Sequence, residues 1–130
     1  MKRIAILVFV ICSTFAACSN DDSTTQEEDN AALKVMYDEI ISLSSIKSLP
    51  CTNPEEWAFT GIGARPCGGV ASYIPYAKGI NITAFETKVK AYNNAVEAFN
   101  KKWELFSTCE VTSVPKAVAC VEGKPTLIYQ

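Results

Sequence analysis

The 130 residues contain no histidine. That removes the commonest general base near neutral pH, the commonest metal ligand and the usual partner of a nucleophilic serine or cysteine. Carboxylates and lysines are left to carry any hydrolysis. The six cysteines never fall in a CxxC spacing, so neither a thioredoxin-like redox motif nor a zinc knuckle is written here. Basic residues form no stripe. From Ala31 onward nine acidic residues stand against ten basic ones, and a near-neutral domain has nothing to hold a phosphate backbone. Nucleic acid is therefore excluded as an expected partner. No internal repeat is present. The longest apolar run stops short of the ~20 residues that a comfortable membrane span needs.

The composition that remains is 48% hydrophobic and 20% charged, which suits one globular domain. The acidic charge is uneven: Asp21, Asp22, Glu27, Glu28 and Asp29 crowd into nine positions. Lys2 and Arg3 precede an apolar stretch from Ile4 to Ala17, broken only by Ser13 and Thr14. A positive start followed by a short apolar segment is the layout of an export signal.

At the end of that segment, Phe15-Ala16-Ala17-Cys18 resembles a bacterial lipobox, with Phe15 in the place usually held by leucine. The resemblance implies that Cys18 receives a diacylglyceryl group, that cleavage falls before it, and that its new amine is acylated. The following Ser19-Asn20-Asp21-Asp22 is similar to surface-exposed lipoproteins of the Bacteroidetes, in which acidic residues after the lipid-bearing cysteine direct outward export. Asp22-Ser23-Thr24 resembles a glycosylation motif of the same group, with Ser23 as acceptor. The later segments "CTNPEEWAFTGIGARPCGG", "FNKKW" and "GKPTLIY" also resemble small lipoproteins of that group, a resemblance that implies no activity. Residues 1–17 are then a signal peptide, 18–30 a lipidated cysteine with a disordered acidic tether, and 31–130 the globular domain. The resemblance places the protein on the outer membrane, facing the cell surface. Each buried acyl CH2 contributes about 0.8 kcal/mol, and several chains make such an anchor effectively permanent.

With Cys12 lost to the signal and Cys18 to lipid, Cys51, Cys67, Cys109 and Cys120 remain. An even number in an exported domain reads as two disulfides, with three connectivities available. The local set, Cys51–Cys67 and Cys109–Cys120, is favoured because each pair brackets a turn-rich segment outside the helices.

Phe85, Val89, Tyr92, Val96, Phe99, Trp103 and Phe106 alternate in steps of four and three. They predict a helix over about 84–107 with all seven on one stripe, started by a Thr83/Glu86 capping box. A second helix is predicted over about 31–47, capped by Asn30, with Leu33, Met36, Tyr37, Ile40 and Leu43 or Ser44 inward. Trp57, Phe59 and Ile62 suggest one strand, and Tyr73, Ile74 and Tyr76 a second extended piece. Residues 117–129 read as a hairpin that turns at Glu122-Gly123-Lys124. The expected fold is α+β: two helices packed on a small antiparallel sheet, with two disulfides.

Three functions compete. The preferred one is a non-enzymatic, membrane-anchored envelope module that binds a protein, peptide or glycan, without cofactor or metal. Its candidate binding residues are Trp57, Arg65, Tyr73 and Tyr76. The second is a protease inhibitor that presents Arg65 on a cysteine-tethered glycine loop. The third is a small carboxylate-dependent hydrolase of envelope polymers. Glu55 and Glu56 are poor material for it, because neighbours on a strand point to opposite faces.

Overall fold

The computed structural model describes residues 23–130. The signal segment, Cys18, Asp21 and Asp22 lie outside the described residues, and Ser23 is the first within them, exposed to solvent. The elements follow in the order α1 (Gln26–Ser44), β1 (Trp57–Ala64), β2 (Val70–Ala77), α2 (Ile82–Lys102), β3 (Ala117–Val121) and β4 (Lys124–Ile128). A single 3-10 turn, Pro54–Glu56, leads into β1.

The α+β class holds, but the strands make two sheets rather than one. β1 pairs antiparallel with β2, and β3 with β4, as separate two-stranded ladders. The first hairpin is the middle layer. Side chains alternate across a strand, so it serves two cores at once. Ile62 and Ile74 face the helices and pack with Ile40, Ile41, Phe85 and Val89. Trp57 and Ala77, directly paired, face the other way onto Val118 and Cys51. Phe85 and Ile40 are completely buried, each contributing about 1.5–3 kcal/mol of apolar transfer. An isolated two-stranded hairpin is marginal in water, and packing on both faces is what makes this one stable.

Both helix starts differ from the sequence reading. α1 begins before residue 31, inside the segment expected to be a disordered tether. Thr25, not Asn30, is its N-cap: Glu28 N–H donates to Thr25 Oγ1 at 3.2 Å, and Thr25 N–H donates back to the Glu28 carboxylate at 2.8 Å. That reciprocal pair satisfies two otherwise orphaned donors. Glu27, Glu28 and Asp29 in the first turn also complement the helix dipole. For α2 the cap is Asn81, whose Oδ1 accepts from Ala84 N–H at 3.1 Å; the Thr83 hydroxyl does not cap.

The end of α2 also comes earlier than the aromatic stripe implies. Trp103 closes the helix, and Glu104 turns left-handed at φ 47°. Leu105 N–H then bonds the Asn100 carbonyl, and Glu104 N–H the Lys101 carbonyl. This is a Schellman closure with glutamate where glycine is usual. It throws Phe106 off the stripe, leaving it 94% exposed. Residues 103–116 then run as a connector without regular structure to β3.

The favoured disulfide connectivity is overturned. Cys51 is bonded to Cys120, 69 positions away, and Cys67 and Cys109 stand against each other with their sulfurs 2.6 Å apart. The hairpin explains the exchange. β1 has eight residues, which at ~3.3 Å per residue carry the chain roughly 25 Å. Cys51 precedes the root of this hairpin and Cys67 follows at its tip, so the two cannot meet. At the root, Cys51 N–H also donates to the Gly123 carbonyl at 2.8 Å. Gly123 sits at φ 73° beside Glu122 at φ 49°, the backbone that a two-residue hairpin turn requires.

Candidate functional site

The far end of the first hairpin leans against the last three turns of α2, and a cleft of about 710 Å³ opens between them. Its floor is a strand whose ladder is interrupted. Gly63 adopts φ 76°, and its N–H donates to Asn93 Oδ1 at 2.6 Å. One residue on, the Ala64 carbonyl accepts from Asn100 Nδ2 at 2.8 Å. Asn93 and Asn100 are seven residues apart, two turns of one helix face. Together they take up one backbone donor and one backbone acceptor at the end of β1.

Glu97 and Lys101 form the outer wall, paired at 2.7 Å. Hydrogen bonding from the Lys101 ammonium holds the Glu97 carboxyl below its ordinary range. Asn94, Glu104 and Leu105 complete that side, and Phe106 stands at the rim. Opposite lie Gly68 and Gly69 of the hairpin turn. That turn is closed by Arg65 N–H to the Gly69 carbonyl and Gly68 N–H to the Arg65 carbonyl.

The connector is fastened to this tip by side chains. The Arg65 guanidinium donates to the carbonyls of Glu110 and Thr108 and to the Thr112 hydroxyl. Thr112 donates in turn to the Val70 carbonyl at 2.8 Å. Beside it lie Cys67 and Cys109, both exposed. The Cys67 thiol is held below the ordinary thiol range, first by hydrogen bonding with Cys109, then by Ser107, with Arg65 adding a favourable charge. The same contact pushes the Cys109 thiol up.

The four residues singled out as binding candidates do not come together. Trp57 is 5% exposed in the second core. Tyr73 stands edge-on to Phe59 at 6.0 Å, and Tyr76 packs on Phe85 at 4.8 Å; both are half-buried. Only Arg65 lies at the cleft, and its guanidinium is engaged with the connector rather than held out to a protease. Glu55 and Glu56 occupy one exposed turn. The residues that sequence reasoning missed are Asn93, Asn100, Thr112 and Phe106. The two asparagines flank the apolar stripe at a seven-residue spacing, a signal that was readable. Thr112 had none.

What this cleft offers is amide and charged groups on one wall, turned backbone on the other, and an aromatic edge. Such a surface holds a polar, extended ligand by hydrogen bonds and stacking. Among the described residues, no three histidine, cysteine or carboxylate side chains cluster as a metal site. No helix of the described residues is long and apolar enough to cross a membrane. No family model, no curated protein and no solved structure matches the chain.

Proposed function

We propose that the protein is an outer-membrane lipoprotein anchored through lipid on Cys18 and facing outward. Its domain acts as a non-enzymatic binding module for a glycan or extended peptide segment at the hairpin-tip cleft. The sequence around Cys18 supports the anchor. The cleft itself supports the binding role, and its position is the observation that carries the reading. Asp29, in the first turn of α1, holds Lys102 at 2.5 Å and Trp103 Nε1 at 3.0 Å at the end of α2. The chain therefore enters the domain at the same end as the cleft. The inhibitor reading requires a free arginine, and the Arg65 guanidinium is bonded to the connector.

Two measurements test the proposal. Cys18→Ala should move the protein out of the membrane fraction; retention there sinks the anchor. The full chain, presented to solubilised native envelope, should retain a ligand that Phe106→Ala and Asn94→Ala lose. A turnover activity abolished by Glu97→Gln would instead make the cleft an enzyme site.

A further inference from the structure

The two cysteine pairs occupy different chemical settings, although both join segments far apart in sequence. Cys51 is 3% exposed, inside a core with Trp57, Ala77 and Val118. Cys67 and Cys109 are both open to solvent, one on the hairpin turn and one on the connector. Around them stand Arg65, bonded to the connector carbonyls on either side of Cys109, and Ser107, whose hydroxyl lies 3.5 Å from Cys67 Sγ. Exposed disulfides in electropositive surroundings exchange with external thiols, whereas buried ones are shielded from attack.

We propose that Cys67 and Cys109 form a thiol–disulfide exchange site for an external dithiol at the hairpin tip, while Cys51–Cys120 is purely structural. In the oxidised protein, a thiolate of the external dithiol attacks Cys109 Sγ. The bond between the two cysteines breaks, and Cys67 leaves as a thiolate stabilised by Ser107 and Arg65. The second sulfur of the dithiol then displaces Cys109 from the mixed disulfide. The external dithiol ends as a disulfide, and two electrons and two protons have passed to Cys67 and Cys109. Reoxidation runs through the other mixed disulfide: the Cys67 thiolate attacks an external disulfide and releases one of its sulfurs, and the Cys109 thiolate then attacks Cys67 Sγ, which releases the other sulfur as the external dithiol and restores the pair. The lowered Cys67 and raised Cys109 thiols fit these roles of leaving group and resolving partner. The site goes beyond the proposed binding role and does not depend on what the cleft holds or on where the chain is anchored.

The test is a reductant ladder on the full chain. The protein is equilibrated with graded dithiothreitol, trapped with iodoacetamide and mapped by peptide mass. Cys67 and Cys109 should become alkylated together at about one-tenth, or less, of the reductant that opens Cys51 and Cys120. Four cysteines titrating together, or Cys51 and Cys120 opening first, would overturn the assignment. Independently, Cys109→Ser treated with oxidised glutathione should accumulate a mixed disulfide on Cys67, with Cys51–Cys120 intact. No adduct on Cys67 in a protein that keeps Cys51–Cys120 also overturns it.

Discussion

The root and the tip of the first hairpin are each tied to the rest of the chain by a cysteine pair, yet they are held by different forces. At the root, Cys51–Cys120 lies in an apolar core, and a backbone bond from Cys51 to Gly123 runs alongside. At the tip, the connector has no ladder of its own. Arg65, Thr112 and the Cys67/Cys109 contact hold it from the surface. Cys51–Cys120 closes a long loop, and a bond between Cys67 and Cys109 would close another, so chain entropy alone would give the two similar weight, about 4 kcal/mol each. The difference therefore comes from the native side. A bond realises its entropic contribution only if the folded state keeps both ends in place without it. The root does so through a packed core, whereas the tip has only side-chain hydrogen bonds from Arg65 and Thr112 to keep its connector in place. The molecule thus has one end held by core packing, and one end, where its cleft lies, held by side-chain hydrogen bonds.

The largest expected effect tests that contrast directly. Replacing both Cys51 and Cys120 with serine should lower stability by about 4 kcal/mol, read as a fall in the urea midpoint. The same exchange at Cys67 and Cys109 should cost about 1–2 kcal/mol, because the freed connector recovers part of its entropy in the folded state. Equal losses would erase the distinction between the two ends.

A smaller effect sharpens it within the tip. Asn100 is 9% exposed, and its amide holds the Ala64 carbonyl. Asn100→Ala leaves that carbonyl without its partner and should cost about 1–3 kcal/mol. Phe106→Ala, four residues from the end of α2, should change stability by no more than about 0.5 kcal/mol. Thermal unfolding of the two variants decides it. If Phe106→Ala is the more damaging, its side chain serves the fold rather than the cleft rim.

The same contrast marks how far the sequence could be read. Period and alternation revealed both helices, the second hairpin with its turn at Gly123, and the two extended pieces of the first hairpin without their pairing, because burial on one face leaves a repeating trace. The trace fails where a different force takes over. The stripe from Phe85 through Trp103 continues to Phe106 in sequence, but Glu104 ends the helix by adopting a left-handed conformation usually left to glycine, and nothing in the pattern announces that. The acidic run at 27–29 looks like solvated tether until Thr25 caps it and Lys102, distant in sequence, neutralises Asp29. The cysteine pairing failed because spacing along the chain was read as spacing in space, across a hairpin that carries Cys67 away from Cys51. Of the four binding candidates only Arg65 lines the cleft, and its hydrogen bonds do not support the inhibitory role also given to it; the stripe assigns Phe106 only to the core. Thr112 and Arg65 meet across 47 positions, and no local pattern encodes such a contact.

The smallest effect concerns the other fastening of the tip end, where α1 begins against the end of α2. Hydrogen bonding from the Lys102 ammonium, then from the Thr24 hydroxyl, holds the Asp29 carboxyl below its ordinary value of 3.8. Trp103 Nε1 adds a third donor. A carboxyl depressed in the folded state binds protons more readily when the chain is unfolded. Its contribution is therefore complete above 3.8 and is lost as pH falls from there through the folded-state value. Asp29→Asn removes the charge at every pH. The wild type should therefore lead the variant in urea midpoint at pH 6, by a small margin because the pair is open to solvent. That lead should shrink steadily below pH 4. A lead that stays constant into acid would mean that the carboxylate charge does not fasten this end, and that Trp103 packing and the Thr25 cap hold α1 in place without it.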